Sequence, residues 1–194
     1  MSGGARQHRP FDPAKAARLD DPARFAYLPI DDVIALVGAP EGSTVVDYGT
    51  GTGAYALPFA HRRPDLRVIA LDVQPEMLAL LRAKPEFALL RNLEPVERAP
   101  QSLYGEVARV FGINVLHELS DAALADIAAL LGPGGSMVMV DWNAAVERPI
   151  GPPAERVYAP EEGRDRLIAL GWHVAEQHLF PYQYALIAHP PMSP

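Results

Sequence analysis

Apolar runs typical of buried strands alternate along the chain with stretches of helical periodicity. Strand-like runs lie at 44–48, 66–71, 87–90, 106–113 and 136–142. β-Branched and other apolar residues dominate these runs, as they do in parallel strands buried on both faces. The intervening segments place apolar residues every three to four positions, which is the period of an amphipathic helix. This alternation predicts an α/β fold in which a mostly parallel sheet carries helices on both faces.

The last part of the chain departs from that alternation. A helix that begins near Pro160 ends at Gly171, and two strand-like runs follow directly, 172–180 and 182–188, joined at Pro181. A connection this short can join only antiparallel strands. The pattern therefore predicts a seven-stranded sheet whose last strand runs antiparallel to its neighbours.

The chain is predicted to form one domain, residues 13–189, which includes N-terminal cap helices at 13–38. Residues 1–12 and 190–194 are expected to be flexible because they are short and rich in polar, Gly or Pro residues. No apolar run reaches the ~18 residues of a membrane span, and no apolar signal core is found near the start. The expectation is a cytoplasmic protein, monomeric or homodimeric.

A glycine-rich loop follows the first buried strand. That strand leads into Asp47, and glycines then occupy every second position, at Gly49, Gly51 and Gly53, before a helix starts. Such a turn brings bare backbone and a helix N-terminus against a ligand, and glycine permits both the close approach and a positive φ. The loop therefore predicts a nucleotide-containing cofactor.

Two cofactor classes fit this loop. The spacing of Gly49, Gly51 and Ala54 satisfies the dinucleotide fingerprint. The carboxylate of Asp47, however, would repel a pyrophosphate and attract a cationic ligand. The stretch from Asp47 to Gly53 resembles the acidic glycine-rich loop of the class I S-adenosylmethionine-dependent methyltransferase family, in particular its small bacterial, type 11-like members. Charge and resemblance together favour S-adenosylmethionine (SAM) over NAD(P).

The resemblance implies a Rossmann-like class I methyltransferase fold, in which a terminal hairpin distinguishes the sheet from that of dinucleotide-binding proteins. Asp72 follows the glycine loop by about 20 residues, at the expected tip of the neighbouring strand. A carboxylate there can accept hydrogen bonds from both hydroxyls of a ribose, which SAM and NAD(P) share. Asp72 thus supports nucleotide binding without selecting the nucleotide.

Other cofactor contacts are implied by the resemblance alone. The segment DVQPEML resembles the methyltransferase motif that lines the adenine, which implies that Val73 and Met77 flank the ring. Asn92 aligns with a polar residue that meets the adenine amino group, and Leu93 would offer a backbone N–H, although Arg91 replaces a more usual glycine. The predicted cofactor-binding residues are Asp47, Tyr48, Gly49, Thr50, Gly51, Gly53, Asp72, Val73, Met77, Asn92, Leu93 and Asn114.

The segment NVLHEL, residues 114–119, resembles the loop beside the departing methyl group in small-molecule methyltransferases. His117 in this loop is the candidate general base, because an unperturbed imidazole titrates near neutral pH. A structural histidine, satisfied by backbone groups at a strand end, is the open alternative. Together with His117, four aromatic residues are predicted to line the substrate pocket: Tyr27, Trp142, Tyr158 and Tyr182.

The segment RLDDPARFAYLP, residues 18–29, is similar to an N-terminal cap that covers the cofactor mouth in small bacterial methyltransferases. A surface helix whose Phe25 and Leu28 pack on the core is the alternative interpretation.

These features predict methyl transfer from SAM to a small-molecule acceptor. The net charge of −7 argues against a nucleic-acid partner, and no membrane partner is expected. The absence of cysteine excludes thiol nucleophiles and thiolate metal sites, and the six histidines form no metal-binding pattern, so no metal is predicted. Two other functions stay open, a SAM-binding module without catalysis and an NAD(P)-dependent reductase.

Overall fold

The structure is a computed structural model that describes residues 11–191. Its helices and strands are, in chain order, α1 (Ile30–Val37), β1 (Thr44–Tyr48), α2 (Ala56–Arg62), β2 (Arg67–Leu71), α3 (Pro75–Arg82), β3 (Leu93–Val96), β4 (Val107–Ile113), α4 (Asp121–Leu130), β5 (Leu131–Trp142), α5 (Pro160–Ala169), β6 (His173–Leu179) and β7 (Gln183–His189). The termini predicted to be flexible lie outside the described residues, apart from 11–12 and 190–191.

All seven strands form a single sheet in the order β3-β2-β1-β4-β5-β7-β6. Neighbouring strands from β3 to β5 are parallel, whereas β7 runs antiparallel to both β5 and β6. The predicted seven-stranded, Rossmann-like sheet with an antiparallel last strand is confirmed.

The strands are buried on both faces, as their apolar runs predict. In β1, Val45 and Val46 are fully buried, and they belong to different apolar clusters on the two faces of the sheet. Helices α1 and α2 cover one face, where Phe59 stacks on Phe111 of β4 with ring centroids 4.8 Å apart. Helices α4 and α5 cover the other face. No helix within residues 11–191 has the length and apolar character needed to cross a membrane.

The strand order changes direction between β1 and β4. The chain leaves β1 toward β2 on one side and leaves β4 toward β5 on the other. In open α/β sheets the connections diverge at such a point and leave a crevice beyond the carboxyl ends of the strands. The glycine-rich loop follows β1 at this crevice, and the NVLHEL segment follows β4.

One predicted strand is wrongly placed. Residues 87–89 form a turn of 3-10 helix, because the backbone N–H groups of Phe87 and Leu90 bond to carbonyls three residues earlier. Strand β3 begins only at Leu93, which pairs with Val68 of β2. Pro95 is accepted within β3 because an edge strand can spare an N–H donor.

The N-terminal cap consists of two short 3-10 turns, Pro13–Arg18 and Pro22–Ala26. The carboxylates of Asp12 and Asp21 cap these turns by accepting the backbone N–H groups of Ala14 and Ala23. Each turn starts with a proline directly after its aspartate, and Pro22 interrupts the helix predicted over this region.

Candidate functional site

A cavity of about 2010 Å³ opens at the carboxyl ends of the parallel strands. Its floor is formed by the glycine-rich loop, the tip of β2 and the loop after β4, while the cap and the segment 149–153 form its outer walls. Typical ligand pockets measure about 300–1,000 Å³. The cavity therefore has room for two ligands side by side.

Hydrogen bonds fix the glycine-rich loop against the neighbouring strand β2. The backbone N–H groups of Gly49 and Thr50 both donate to the carbonyl of Leu71, at 2.8 and 2.9 Å. The N–H of Gly51 donates to the carboxylate of Asp72 at 2.7 Å. The loop is thus held in one conformation in which Asp72 is its anchor.

Two of the loop glycines are required by protein packing as well as by backbone conformation. A Cβ on Gly49, which has a φ of +77°, would lie 2.7 Å from Val115. A Cβ on Gly53, which has a φ of +74°, would lie 2.6 Å from Leu81 of α3. Gly53 does not itself line the cavity, although Thr52 and Ala54 on either side of it do, so its place in the predicted cofactor-binding set stays a prediction. Its lack of a side chain lets α3 approach the loop.

Asp47 is a buried carboxylate at the base of the cavity, with only 2 % of its surface exposed. The hydroxyl of Thr50 donates to it at 2.7 Å. Burial raises the pKa of Asp47 to about 7, the hydroxyl of Thr50 opposes this rise, and the nearby Asp72 adds to it. A bound cation would stabilise the ionised carboxylate, so this position favours a cationic ligand group.

The carboxylate of Asp72 lies at the tip of β2, as the sequence predicts. It accepts the N–H of Gln74 at 2.9 Å in addition to that of Gly51. Burial raises its pKa, and these two backbone donors oppose the rise. Each carboxylate oxygen has two lone-pair sites, so Asp72 can still accept hydrogen bonds from a ligand diol.

Asn114 has an unusual backbone conformation and an unsatisfied side chain. Its φ of +60° makes it the one non-glycine residue with a positive φ within residues 11–191. Both polar atoms of its side-chain amide are buried without a hydrogen-bond partner in the described part of the chain. Buried amides are almost always paired in folded proteins. Because Asn114 lines the cavity, its amide indicates a place where a ligand completes the hydrogen bonding.

Most of the other predicted cofactor residues also line the cavity. Tyr48 and Thr50 lie in its floor, and Val73 and Met77 lie where α3 approaches it. Val73 is 69 % exposed, which is unusual for an apolar side chain unless a ligand covers it. The described residues therefore offer an apolar wall beside the carboxylate of Asp72.

Asn92 and Leu93 lie at the opposite edge of the sheet, so their assignment to the adenine site is wrong. Because β3 begins at Leu93, both residues are at its amino end. The side-chain amide of Asn92 donates to three backbone carbonyls, those of Ala60, Arg63 and Leu66, each at 3.1 Å. Asn92 therefore closes the turn between α2 and β2.

His117 and Asp141 form a buried pair at the carboxyl ends of β4 and β5. The ring atom Nδ1 of His117 lies 2.9 and 3.0 Å from the two carboxylate oxygens of Asp141, and the backbone N–H of His117 donates to the same carboxylate at 2.7 Å. Asp141 is fully buried. Burial by itself would lower the pKa of His117, but the Asp141 carboxylate raises it above its usual value.

Glu118 is the next titratable group in the cavity. One of its carboxylate oxygens lies 3.6 Å from Nε2 of His117. Burial raises the pKa of Glu118 to about 7, while the imidazole of His117 acts in the opposite direction. The structure thus places a second, half-buried titratable group against the imidazole.

Three of the four predicted aromatic residues meet at one wall of the cavity. The ring of Tyr27 lies 6.0 Å from that of Trp142 and 5.6 Å from that of Tyr182. Tyr158 is not among the residues that line the cavity, so its place in the predicted pocket stays a prediction. Its ring packs under the guanidinium of Arg166 at 5.5 Å, because Tyr158 lies directly before α5.

The cap is fastened to the cofactor side of the cavity. Asp20 accepts the hydroxyl of Thr52 and the ammonium of Lys84, both at 2.6 Å. The backbone carbonyl of Phe11 accepts the side-chain amide of Gln74 at 3.0 Å. Residues 11–27 thus border the cavity, while Leu28 is buried in the core and Phe25 packs against it, so that the structure contains features of both interpretations of this segment.

The roles of two residues of the site are not predicted from the sequence. From the sequence, Asp141 lies at a strand tip and could line the substrate pocket, but its pairing with His117 is not predicted because the two residues are 24 positions apart. Arg24 of the cap is buried in the cavity wall, with 8 % of its surface exposed. An arginine on a short surface helix gives no sequence signal for such burial.

Comparison with known proteins gives a consistent picture. The family profile of the methyltransferase domain matches residues 45–135. The structure is similar to the crystal structure of a SAM-dependent methyltransferase from Aquifex aeolicus, with 31 % sequence identity and a TM-score of 0.83 over 92 % of this chain and 98 % of that chain.

Curated relatives cover a wider range of acceptors. The chain is 28 % identical over 143 residues to the ribosomal RNA small subunit methyltransferase G of Frankia alni. The aligned segment covers 69 % of this chain and 48 % of the relative. The chain is also 33 % identical over 114 residues to the demethylmenaquinone methyltransferase of Thermus thermophilus. This alignment covers 56 % of this chain and 50 % of the relative. The chain thus spans about half the length of these relatives.

The prediction of a small-molecule acceptor with nucleic acid excluded is wrong, because one of these relatives is named for ribosomal RNA. That exclusion depended on the net charge of −7, which sums over the whole chain. A net charge does not describe the surface around one cavity.

Proposed function

Since the chain belongs to the family of SAM-dependent methyltransferases, we propose that it transfers the methyl group of SAM to an acceptor oxygen or nitrogen whose proton is taken by His117. One observation carries this proposal, the buried pairing of His117 with Asp141 beside the cavity. Acceptor atoms that carry a proton need a base, whereas a thioether or a tertiary amine does not.

The residues around the glycine-rich loop suit SAM. Asp47 is a carboxylate for its cationic methionyl end, and Asp72 is an acceptor for its ribose hydroxyls. The unpartnered amide of Asn114 offers a further donor and acceptor in the same cavity. Val73 and Met77 provide an apolar wall for the adenine. When bound, SAM supplies a methyl group on a sulfonium, which is already an activated leaving group.

Asp141 prepares His117 to act as a base. Its carboxylate accepts the Nδ1–H of the imidazole, which fixes the tautomer and leaves the basic lone pair on Nε2. The negative charge of Asp141 also stabilises the imidazolium that forms when His117 accepts a proton. His117 is 9 % exposed, so bulk water has little access to the proton transfer.

The remaining walls position the acceptor and limit the entry of water. Tyr27, Trp142 and Tyr182 form an aromatic wall of the cavity that His117 also lines, and Gly151 of the segment 149–153 packs against the ring of Trp142. Alignment of two bound reactants can lower a barrier by up to ~7–11 kcal/mol. Orientation by this wall and proton removal by His117 therefore act together.

The test is a methyl-transfer assay that measures formation of S-adenosylhomocysteine (SAH) from SAM. The acceptor panel contains ribosomal RNA and a demethylmenaquinone-type quinol, since these are named in the relatives, together with simple phenols and amines. The variant His117→Asn keeps an N–H donor for Asp141 and removes the basic nitrogen. We expect kcat to fall about 100-fold or more while the affinity for SAH is unchanged.

The matched control is His178→Asn on the exposed strand β6, which is expected to leave kcat unaltered. In the wild-type enzyme, kcat/KM is expected to rise with pH up to the raised pKa of His117, because only the neutral imidazole accepts a proton. Wild-type kcat in His117→Asn would show that His117 is not the base. No turnover of any acceptor by the wild-type protein would argue against the proposed transfer itself.

A further inference from the structure

Arg24 is the cation of the cap that is buried in the cavity wall. Its side chain and that of Asp47 line the same cavity, and the positive charge of the guanidinium acts to lower the pKa of the Asp47 carboxyl. Within residues 11–191, however, no carboxylate lies within 4.0 Å of the Arg24 guanidinium, and the carboxylate of Asp47 is no exception. A buried cation and a buried anion therefore line one cavity without forming an ion pair, which leaves the cavity between opposite charges open to a ligand.

The cap holds Arg24 in this place through contacts that use only part of its donor capacity. One Nη1–H donates to the carbonyl of Leu19, and the guanidinium lies over the ring of Tyr55 at 5.0 Å from its centroid. A guanidinium has five N–H donors in a rigid plane. No carboxylate of residues 11–191 pairs with this buried charge, and because an unpaired buried charge is costly, we infer that a ligand anion completes the site.

A zwitterionic group suits a cavity that both Asp47 and Arg24 line. The methionyl end of SAM carries an ammonium group and a carboxylate on the same carbon. In the proposed site, Asp47 binds the ammonium group, so the carboxylate still needs a partner. A planar guanidinium matches a carboxylate through two parallel hydrogen bonds. We propose that Arg24 binds the carboxylate of the methionyl moiety of the cofactor, so that the cap supplies part of the cofactor site.

This inference depends on the same cofactor as the proposed function, but it concerns binding and not methyl transfer. It also explains why the cap is fastened by Asp20 to Thr52 and Lys84, beside the glycine-rich loop. Those contacts fix the start of the second 3-10 turn, Pro22–Ala26, on which Arg24 lies. The other cap cations in the cavity wall, Lys15 and Arg18, are exposed and therefore less suited to the role.

The test compares two ligands that differ only in the carboxylate. SAH contains the full amino-acid end, whereas S-adenosyl-3-thiopropylamine keeps the amino group and lacks the carboxylate. Calorimetric titration gives the Kd of each for the wild-type protein, Arg24→Met, Arg24→Lys and the control Arg18→Met. Methionine keeps the apolar stem of arginine, and circular dichroism confirms that each variant is folded.

We expect the wild-type protein to bind SAH about ten-fold or more tightly than the analogue, because charged hydrogen bonds are strong. In Arg24→Met that preference is expected to disappear through weaker SAH binding, with an unchanged Kd for the analogue. Arg24→Lys is expected to retain part of the preference, and Arg18→Met all of it.

Equal affinities of the wild-type protein for the two ligands would overturn the proposal without any variant. An equal loss of affinity for both ligands in Arg24→Met would also overturn it, since it would assign Arg24 a purely structural role in the cap. A lost preference in Arg18→Met and not in Arg24→Met would transfer the carboxylate to the other arginine. In each of these cases the methyl-transfer assay still tests the proposed function independently.

Discussion

Replacing Asp141 by asparagine exchanges one oxygen of a fully buried carboxylate for an NH2 group. Oδ1 accepts the backbone N–H of Trp142 at 2.8 Å, and Oδ2 accepts the backbone N–H of His117 at 2.7 Å. Whichever way the new amide is oriented, its NH2 group faces one of these two N–H donors. A buried donor that loses its acceptor costs about 1–3 kcal/mol, so Asp141→Asn is expected to lower the free energy of unfolding by that amount.

The loss is expected to depend on pH because of His117. Asp141 raises the folded-state pKa of His117 above its unfolded value, which is about 6.5. A raised pKa contributes stability that is fully present below the unfolded pKa and is lost as pH rises through the folded pKa. In Asp141→Asn the burial of His117 is no longer opposed by this carboxylate, and its pKa falls. The destabilisation is therefore expected to be larger at pH 6 than at pH 9.

Urea unfolding of the wild-type and variant proteins at pH 6 and pH 9 measures this difference directly. Asp126→Asn is the matched control, since Asp126 accepts the hydroxyls of Tyr48 and Tyr104 and contacts no imidazole within residues 11–191. Its destabilisation is expected to be the same at both pH values. Equal losses at pH 6 and pH 9 in Asp141→Asn would refute the argument that this carboxylate stabilises a charged His117.

Two further predictions concern residues whose contacts in the structure are not predicted from the sequence. Gly53→Ala is expected to lower the free energy of unfolding by about 1–3 kcal/mol more than Gly134→Ala. Both glycines have nearly the same positive φ, but only a Cβ on Gly53 meets a side chain, that of Leu81. Thermal unfolding measures the difference, and equal losses of stability would show that the close approach of α3 to Gly53 has no effect. Asn92→Ala is expected to lower stability by about 1–3 kcal/mol, since three carbonyls lose their donor, while the Kd of SAH stays unchanged. Weaker SAH binding by a stable Asn92→Ala protein would restore Asn92 to the adenine site.

The local sequence is sufficient where one segment determines its own structure. The β-branched run before Asp47 gives a strand, the glycines after it give positive φ angles, and the short tail connection gives an antiparallel pair. The resemblance to known methyltransferases predicts the family, which is confirmed. Most of the cofactor-binding residues that it predicts line one cavity in the structure. It fails at Asn92, because the apolar run at 87–90 forms a local turn and the strand begins later than predicted.

The sequence by itself therefore determined the order of strands and helices, the glycine-rich loop and the carboxylates at the strand tips, since each depends on residues close together in the chain. Only the tertiary structure decided which side chains face one another. The pairing of His117 with Asp141, the burial of Arg24 in the cavity that Asp47 also lines and the packing of Gly53 on Leu81 each join residues far apart in sequence. Their energies arise from burial and from distances of a few ångströms, and these exist only after the sheet and the cap have come together.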